Sequence, residues 1–295
     1  MTQKKYFEGL LVVAGIFLIF FVITYISFPL ISELFHLDDS SRSGMLTLAV
    51  IQSLLLFIAP SFVAARIISI RPLDFLKLNK APGWLALLGV IFAYLIALPF
   101  LNQIIYWNEN ISFPESISHW GAILKDMEEA ANSASETMLA TSSWGGLAVN
   151  LAIIALLTAF GEELFFRGTL QNAGAARGAN HTAIWVVAIL FSTMHFQIFG
   201  FVPRMLLGAW FGYLLYWTRS IYVPVFAHFL NNGVVVVCSW LSAGSDEFDF
   251  DYLGVVEYGF PMPAFISAVA FVVFIVYFRK FFFDAFNKKK KRIYA

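Results

Sequence analysis

The stretch "GEELFFRG" at 161–168 places two adjacent glutamates directly after "LAVNLAIIALLTAF", a run without a single charged residue. A carboxylate inside or beside a bilayer is costly, so its presence marks a functional position by default. On a helix, residues four apart share a face, while neighbours point about 100° apart. Glu163 and Arg167 are therefore spaced to pair, and Glu162 must point elsewhere. The paired glutamate reads as structural. Glu162, left without a partner on its own helix, is the candidate general base.

Two further clusters break the apolar pattern. In "FSTMHF", Phe191 and His195 stack one turn apart, and in "FAHFLNN", His228 and Asn232 present two polar groups on one helix face. Each has a plain structural reading, as a satisfied core histidine or as a His–Asn pair that glues helices by hydrogen bonding. Together they carry more weight. Three spans each hold one costly polar cluster, and burial drives all of them to face inward and find partners. One shared site is the economical solution. A carboxylate, two imidazoles and an amide match what peptide-bond hydrolysis requires, namely a base or metal to activate water and donors to stabilise the oxyanion. The same side chains could hold Zn2+ through Glu162, His195 and His228, with a fourth position left for water.

Helices must position these groups, and the composition supplies them. Of the 295 residues 60% are hydrophobic, 18% aromatic and only 13% charged, and the mean hydropathy is +0.76. An all-α, polytopic membrane helix bundle follows. Apolar runs of about 20 residues, the length that spans a bilayer, fall near 7–31, 45–68, 84–106, 146–166, 182–199, 203–218, 221–242 and 261–283, which predicts about eight transmembrane helices. The first follows a basic start, but it is too long for a signal-peptide core and no small-residue cleavage site follows, so it reads as a retained helix. Tyr6, Trp84, Tyr106, Trp107, Trp144, Trp217, Tyr222 and Trp240 lie near the run ends, where amphipathic rings prefer the interface.

Charge distribution sets the orientation. The 19 Lys plus Arg balance 19 Asp plus Glu, so no net charge argues for a nucleic-acid partner. With the N-terminus inside, the cytoplasmic side holds Lys4, Lys5, Arg66, Arg71, Lys77, Lys80, Arg167, Arg177, Arg219, Arg279, Lys280 and the tail "KKKKR". Only Arg42, Lys125 and Arg204 remain for the other face, whose loops "SELFHLDD", "MEEAANSASE" and "SDEFDFDY" are acidic. Both termini are thus expected in the cytoplasm, and the basic tail suits anionic headgroups or topological anchoring. The segment 107–145 carries Ile117, Trp120, Leu124, Met127 and Ala131 at helical spacing, which predicts an extramembrane amphipathic helix on the outer interface. No internal repeat interrupts 1–295, read as a single domain. The lone Cys238, in "VVVVCSW", excludes an intrachain disulfide and a cysteine-based metal site.

The three motifs, in this order on separate helices, resemble the CAAX-protease and bacteriocin-processing family of intramembrane endopeptidases, whose signature is EExxxR, FxxxH and HxxxN. Here those positions are Glu162, Glu163 and Arg167; Phe191 and His195; His228 and Asn232, all between 162 and 232. The resemblance implies an eight-helix bundle with a site opening toward the cytoplasm, in which Glu162 and His195 activate water and His228 with Asn232 stabilise the oxyanion. It also implies supporting roles for Glu163, Arg167 and Phe191, and leaves open both a metalloprotease and a metal-free mechanism. The expected substrate is a membrane-associated protein or peptide, such as a prenylated C-terminus, a leader peptide or another small membrane protein, and the short, compact chain without an organellar signal suggests a bacterial plasma membrane.

Other classes remain. A proton-coupled transporter also places Glu, His and Asn within the membrane, but such proteins often show repeated halves, and none is visible. A noncatalytic scaffold or immunity-type protein would not require every motif position. The absence of an HExxH helix, of a glycine-flanked serine and of paired membrane aspartates sets aside three other kinds of intramembrane protease.

Overall fold

The computed structural model describes residues 3–175, 180–242 and 253–293, and it contains no strand among them. Each of the eight apolar runs is a helix, and a ninth, amphipathic helix lies between the third and fourth. In chain order these are α1 (Gln3–Leu34), α2 (Arg42–Ile68), α3 (Trp84–Glu109), α4 (Ser118–Leu139), α5 (Trp144–Gly174), α6 (Asn180–Thr193), α7 (Phe201–Thr218), α8 (Tyr222–Ser242) and α9 (Met262–Ile293). Six of the described helices, α1, α2, α3, α5, α8 and α9, are long and apolar enough to cross a membrane. The other two apolar helices are shorter: α6 rises ~21 Å and α7 ~27 Å at 1.5 Å per residue.

Local sequence sets several boundaries. Ser41 caps α2 by accepting from the Gly44 amide at 3.1 Å, and Ser143 caps α5 by accepting from the Gly146 amide at 3.0 Å. Arg219 closes α7 in the left-handed region at φ 57°. The expected helix at 182–199 stops early, at Thr193, because Phe196 turns left-handed at φ 55° and reverses the chain. Irregular backbone at membrane depth needs internal partners, and the 194–200 turn has them. The Met194 amide donates to the Leu190 carbonyl at 3.0 Å and the Phe196 amide to the Thr193 carbonyl at 3.0 Å. Buried Asn108 donates to the Ile198 carbonyl at 3.0 Å and accepts from the Val202 amide at 2.8 Å.

The helices bury two main apolar cores. One joins α3, α7, α8 and α9 through Val90, Tyr94, Phe211, Leu214, Val223 and Phe278. The other joins α1, α2, α5 and α6 through Val13, Phe57, Phe165, Phe166 and Phe191. The outer faces stay apolar and exposed, as Leu18, Ile19 and Val22 on α1 and Val269, Val272 and Val273 on α9 show. A soluble protein would not leave so wide an apolar face open, whereas lipid covers it. Trp84 and Trp144 are exposed at the starts of α3 and α5, where an interfacial ring belongs.

The two ends of the bundle differ. At one end Lys80 donates to the Thr218 carbonyl, Ser220 Oγ donates to the Lys80 carbonyl at 2.6 Å and the Ile221 amide to the Lys77 carbonyl at 3.2 Å. Leu10 lies beside Gly174, and Phe278 against Gly89, so the early part of α1 and the late part of α9 reach this same end. At the opposite end Arg42 donates to the Met138 carbonyl at 3.2 Å and to Asn150 Oδ1 at 2.8 Å, and the Trp144 and Trp240 rings meet at 4.5 Å. Helix α4 sits at this second end. It turns Leu124, Glu128 and Ala131 toward the protein and leaves Trp120, Ile123 and Met127 exposed, as an interfacial helix does. Arg177 and the acidic stretch 245–252 lie outside the described residues.

Candidate active site

Helix α5 carries the glutamates between two stretches of wider, π-type turn, at 151–157 and 164–171. Thr158 and Thr169 stabilise the wider turns by donating to carbonyls five residues back, Ile153 and Leu164, at 3.1 and 3.0 Å. Such turns re-aim side chains and recur at functional sites. Just ahead of the second stretch, Glu162 and Glu163 are both buried and point apart.

Glu163 and Arg167 form the expected ion pair, at 2.9 Å with both side chains fully buried. Arg167 also donates from Nη2 to the Gly208 carbonyl at 3.0 Å, and its guanidinium lies over the Phe191 ring at 4.4 Å. One turn further on, Gln171 donates to the Gly212 carbonyl at 3.1 Å. A side chain at Gly208 would place its Cβ 3.1 Å from Arg167 Nη2 and 3.2 Å from the Phe191 ring. The close approach of α5 to α7 therefore depends on glycine there.

The same Glu163 oxygen that pairs with Arg167 accepts from His228 Nδ1 at 2.9 Å. This contact joins the first motif to the third and was not legible from spacing. It fixes the ring so that Nε2 points toward Glu162, whose Oε2 lies 3.9 Å away, beyond hydrogen-bond distance. Glu162 Oε2 is buried and has no hydrogen-bond partner among the described residues. Phe211 stacks on His228 at 5.0 Å and an interplanar angle of 19°.

His195 lies in the turn after α6, not within a helix, and its Nδ1 donates to the Phe191 carbonyl at 2.8 Å. That donation assigns the ring proton to Nδ1 and leaves the Nε2 lone pair available. Phe191 contacts both imidazoles edge-on, at 5.0 Å to His195 and 5.9 Å to His228. The FxxxH spacing thus has two uses: the carbonyl orients one histidine, and the ring buttresses both and carries Arg167.

Glu162, His195, His228 and Asn232 all line one cavity of about 770 Å³. Asn232 donates weakly to the Ile154 carbonyl at 3.4 Å and accepts from Asn231 at 3.3 Å. Sequence reasoning missed Asn231 and Arg204, which line the same cavity. Arg204 donates to Gln197 Oε1 at 3.0 Å, and Gln197 donates to Glu128 on α4 at 3.1 Å, so the cavity wall is tied to the amphipathic helix. A cation inside the apolar run 203–218 was the signal available for Arg204.

The cavity opens toward the α4 end of the bundle. Its lining extends to Glu109, Glu128, Asn132, Gly200 and Ser242, all at the α4 end of the bundle, and includes no residue from 66–83 or 218–222. A site opening to the cytoplasm and basic loops in the cytoplasm are two expectations that cannot both hold for this arrangement.

Among the described residues, no three His, Cys, Asp or Glu side chains converge closely enough to hold a metal ion. The bond from His228 Nδ1 to Glu163 leaves Nε2 as the nitrogen a metal would meet, but Glu162, His195 and His228 are not gathered around one point as a three-donor zinc site requires.

The arrangement defines a class: a polytopic helix bundle with a carboxylate, two oriented imidazoles and a carboxamide facing one membrane-depth cavity. Comparison with known proteins points the same way. Residues 144–234 match the family model described as type II CAAX prenyl endopeptidase Rce1-like. That segment contains all seven motif positions, and over it the resemblance read from the motifs holds. The uncharacterized protein YpbD of Bacillus subtilis (strain 168) is 29% identical over 89 residues, which is 29% of this chain and 43% of that protein. The alignment thus spans less than half of the relative's length. No solved structure matches the chain.

Proposed function

We propose that this protein is an intramembrane endopeptidase that hydrolyses a peptide bond in a membrane-associated protein or peptide. The observation that carries the reading is Glu162: a buried carboxylate with an unpartnered oxygen facing a cavity that His195, His228 and Asn232 also line.

Glu162 takes a proton from water, and the His195 Nε2 lone pair holds that water by accepting its second hydrogen. The hydroxide adds to the scissile carbonyl, and the resulting oxyanion takes hydrogen bonds from Asn232 Nδ2 and from His228 Nε2. Donation through Nε2 requires the doubly protonated ring, whose charge Glu162 and Glu163 flank. Glu162 then passes its proton to the leaving amine as the C–N bond breaks. Glu163, Arg167 and Phe191 touch no substrate and act by holding the two imidazoles. The family match at 144–234 supports this assignment, and no step is routed through a metal. The setting is a bacterial plasma membrane with both termini cytoplasmic.

The test compares terminal fragments in membrane proteomes of cells expressing the wild type or Glu162→Gln at matched levels. Fragments that vanish with Glu162→Gln identify an enzyme and its substrates. Identical fragment sets under several growth conditions would overturn the reading in favour of a scaffold or transporter.

A further inference from the structure

We infer that the site is loaded from the extracytoplasmic face, and that its substrate is an extended segment exposed on that face, not a cytosolic C-terminus. The inference rests on the endopeptidase reading for the reaction, but its geometry is independent of turnover.

Charge divides the two ends of the bundle. The closed end carries Arg66, Arg71, Lys77, Lys80, Arg219 and Lys280. The end with α4 carries only Arg42, Lys125 and Arg204 among its described cations. Arg42 and Arg204 are both engaged with protein oxygens there. That same end holds Asp38, Asp39, Glu109, Asp126, Glu128 and Glu129. Lys and Arg near helix ends are retained in the cytoplasm during insertion, so the closed, basic end is cytoplasmic and the cavity mouth is not.

The cavity's shape indicates what can enter. From Ser242 at its mouth to His228 at its floor it follows α8, a rise of ~21 Å at 1.5 Å per residue. An extended chain covers that depth in about six residues at ~3.4 Å each. The intervening walls mix apolar side chains, Leu98, Leu101 and Ile105 on α3 and Val234 on α8, with the polar Asn102 and Ser239. A substrate must therefore supply about six unfolded residues from the outer face, as a translocated peptide or the outer end of a small membrane protein does.

Cysteine accessibility tests this directly, because Cys238 is the only native cysteine. In a Cys238→Ser background, Ser242→Cys and Asn132→Cys mark the mouth, and Ile70→Cys marks the basic end, where Ile70 is 97% exposed. A membrane-impermeant maleimide is expected to label the first two on intact cells and Ile70→Cys only in inside-out vesicles. Labelling of Ser242→Cys from the cytoplasmic side alone, or from neither side, overturns the inference, as does labelling of Ile70→Cys on intact cells. Full labelling after denaturation shows that each cysteine is present. Adding Glu162→Gln should leave the pattern unchanged, so failure of the orientation and failure of the protease reading remain distinguishable. Where Glu162-dependent fragments are found, their new ends should map to extracytoplasmic segments. New ends confined to cytosolic C-terminal tails would overturn the proposal.

Discussion

Removing Arg167 should cost more stability than removing any exposed arginine. The Glu163–Arg167 pair is fully buried on both sides at 2.9 Å, and Arg167 also satisfies the Gly208 carbonyl at 3.0 Å. Arg167→Ala strands Glu163 with His228 as its one polar partner, and leaves a void beneath Phe191. Breaking a buried pair by deleting one member typically costs 3–5 kcal/mol, mostly for the uncompensated charge left behind, so a loss of about that size is expected. At ~2–4 °C per kcal/mol for a large domain, the thermal midpoint should fall by ~6–20 °C. The assay is thermal unfolding of detergent-purified protein, with Arg66→Ala, an exposed position on α2, as the near-neutral control. The neutral pair Glu163→Gln with Arg167→Met should recover part of the loss, because no lone charge remains buried. If Arg167→Ala unfolds with the control, or if the double variant is as unstable as the sum of the singles, Glu163 is not held by Arg167 in the way described.

Other variants separate chemistry from support. Glu162→Gln should abolish cleavage while changing the thermal midpoint little or raising it, since it neutralises a buried carboxylate oxygen that has no partner; fragment analysis and unfolding on one preparation check both. Asn232→Ala should lower kcat about 10²–10³-fold, the effect of deleting one oxyanion donor, with KM for a processed peptide little changed, whereas equal loss in KM would assign Asn232 to substrate binding instead. Gly208→Ala should lower both stability and activity, because its Cβ meets Arg167 and Phe191 at 3.1 and 3.2 Å; a fully active, equally stable variant would show that α5 and α7 have room to separate.

What the sequence made legible follows from helix geometry. The i, i+4 spacing of Glu163 with Arg167 was enough to pair them, and length and hydropathy were enough to place a helix at each apolar run. The two short helices were harder to delimit, since periodicity says nothing of the left-handed residue at Phe196 that ends α6 before His195. Contacts between motifs were invisible for a different reason. Whether His228 reaches Glu163 or Glu162 depends on the rotation of α8 against α5, and the wider turns at 151–157 and 164–171 shift that rotation without a sequence signal. Which end of the bundle the cavity opens toward was also beyond the sequence, because it depends on which helix ends splay apart.

The spacing of the first motif then has a physical explanation beyond the ion pair. Glu163, Arg167 and Gln171 recur every four residues along one face of α5, and Arg167 and Gln171 donate to carbonyls of Gly208 and Gly212, again four apart, on α7. Two helices joined by side-chain donors into backbone carbonyls cannot slide past each other by less than a turn without losing both bonds at once. Phe191 rests on Arg167 and Phe211 on His228, so that locked register is passed to both imidazoles through aromatic faces. Glu162 stands outside this network, with no bond of its own to hold it. Glu162 Oε2, buried and without a hydrogen-bond partner among the described residues, is the oxygen of this site that lines the cavity from outside the α5–α7 lock, where a water molecule and a proton can reach it.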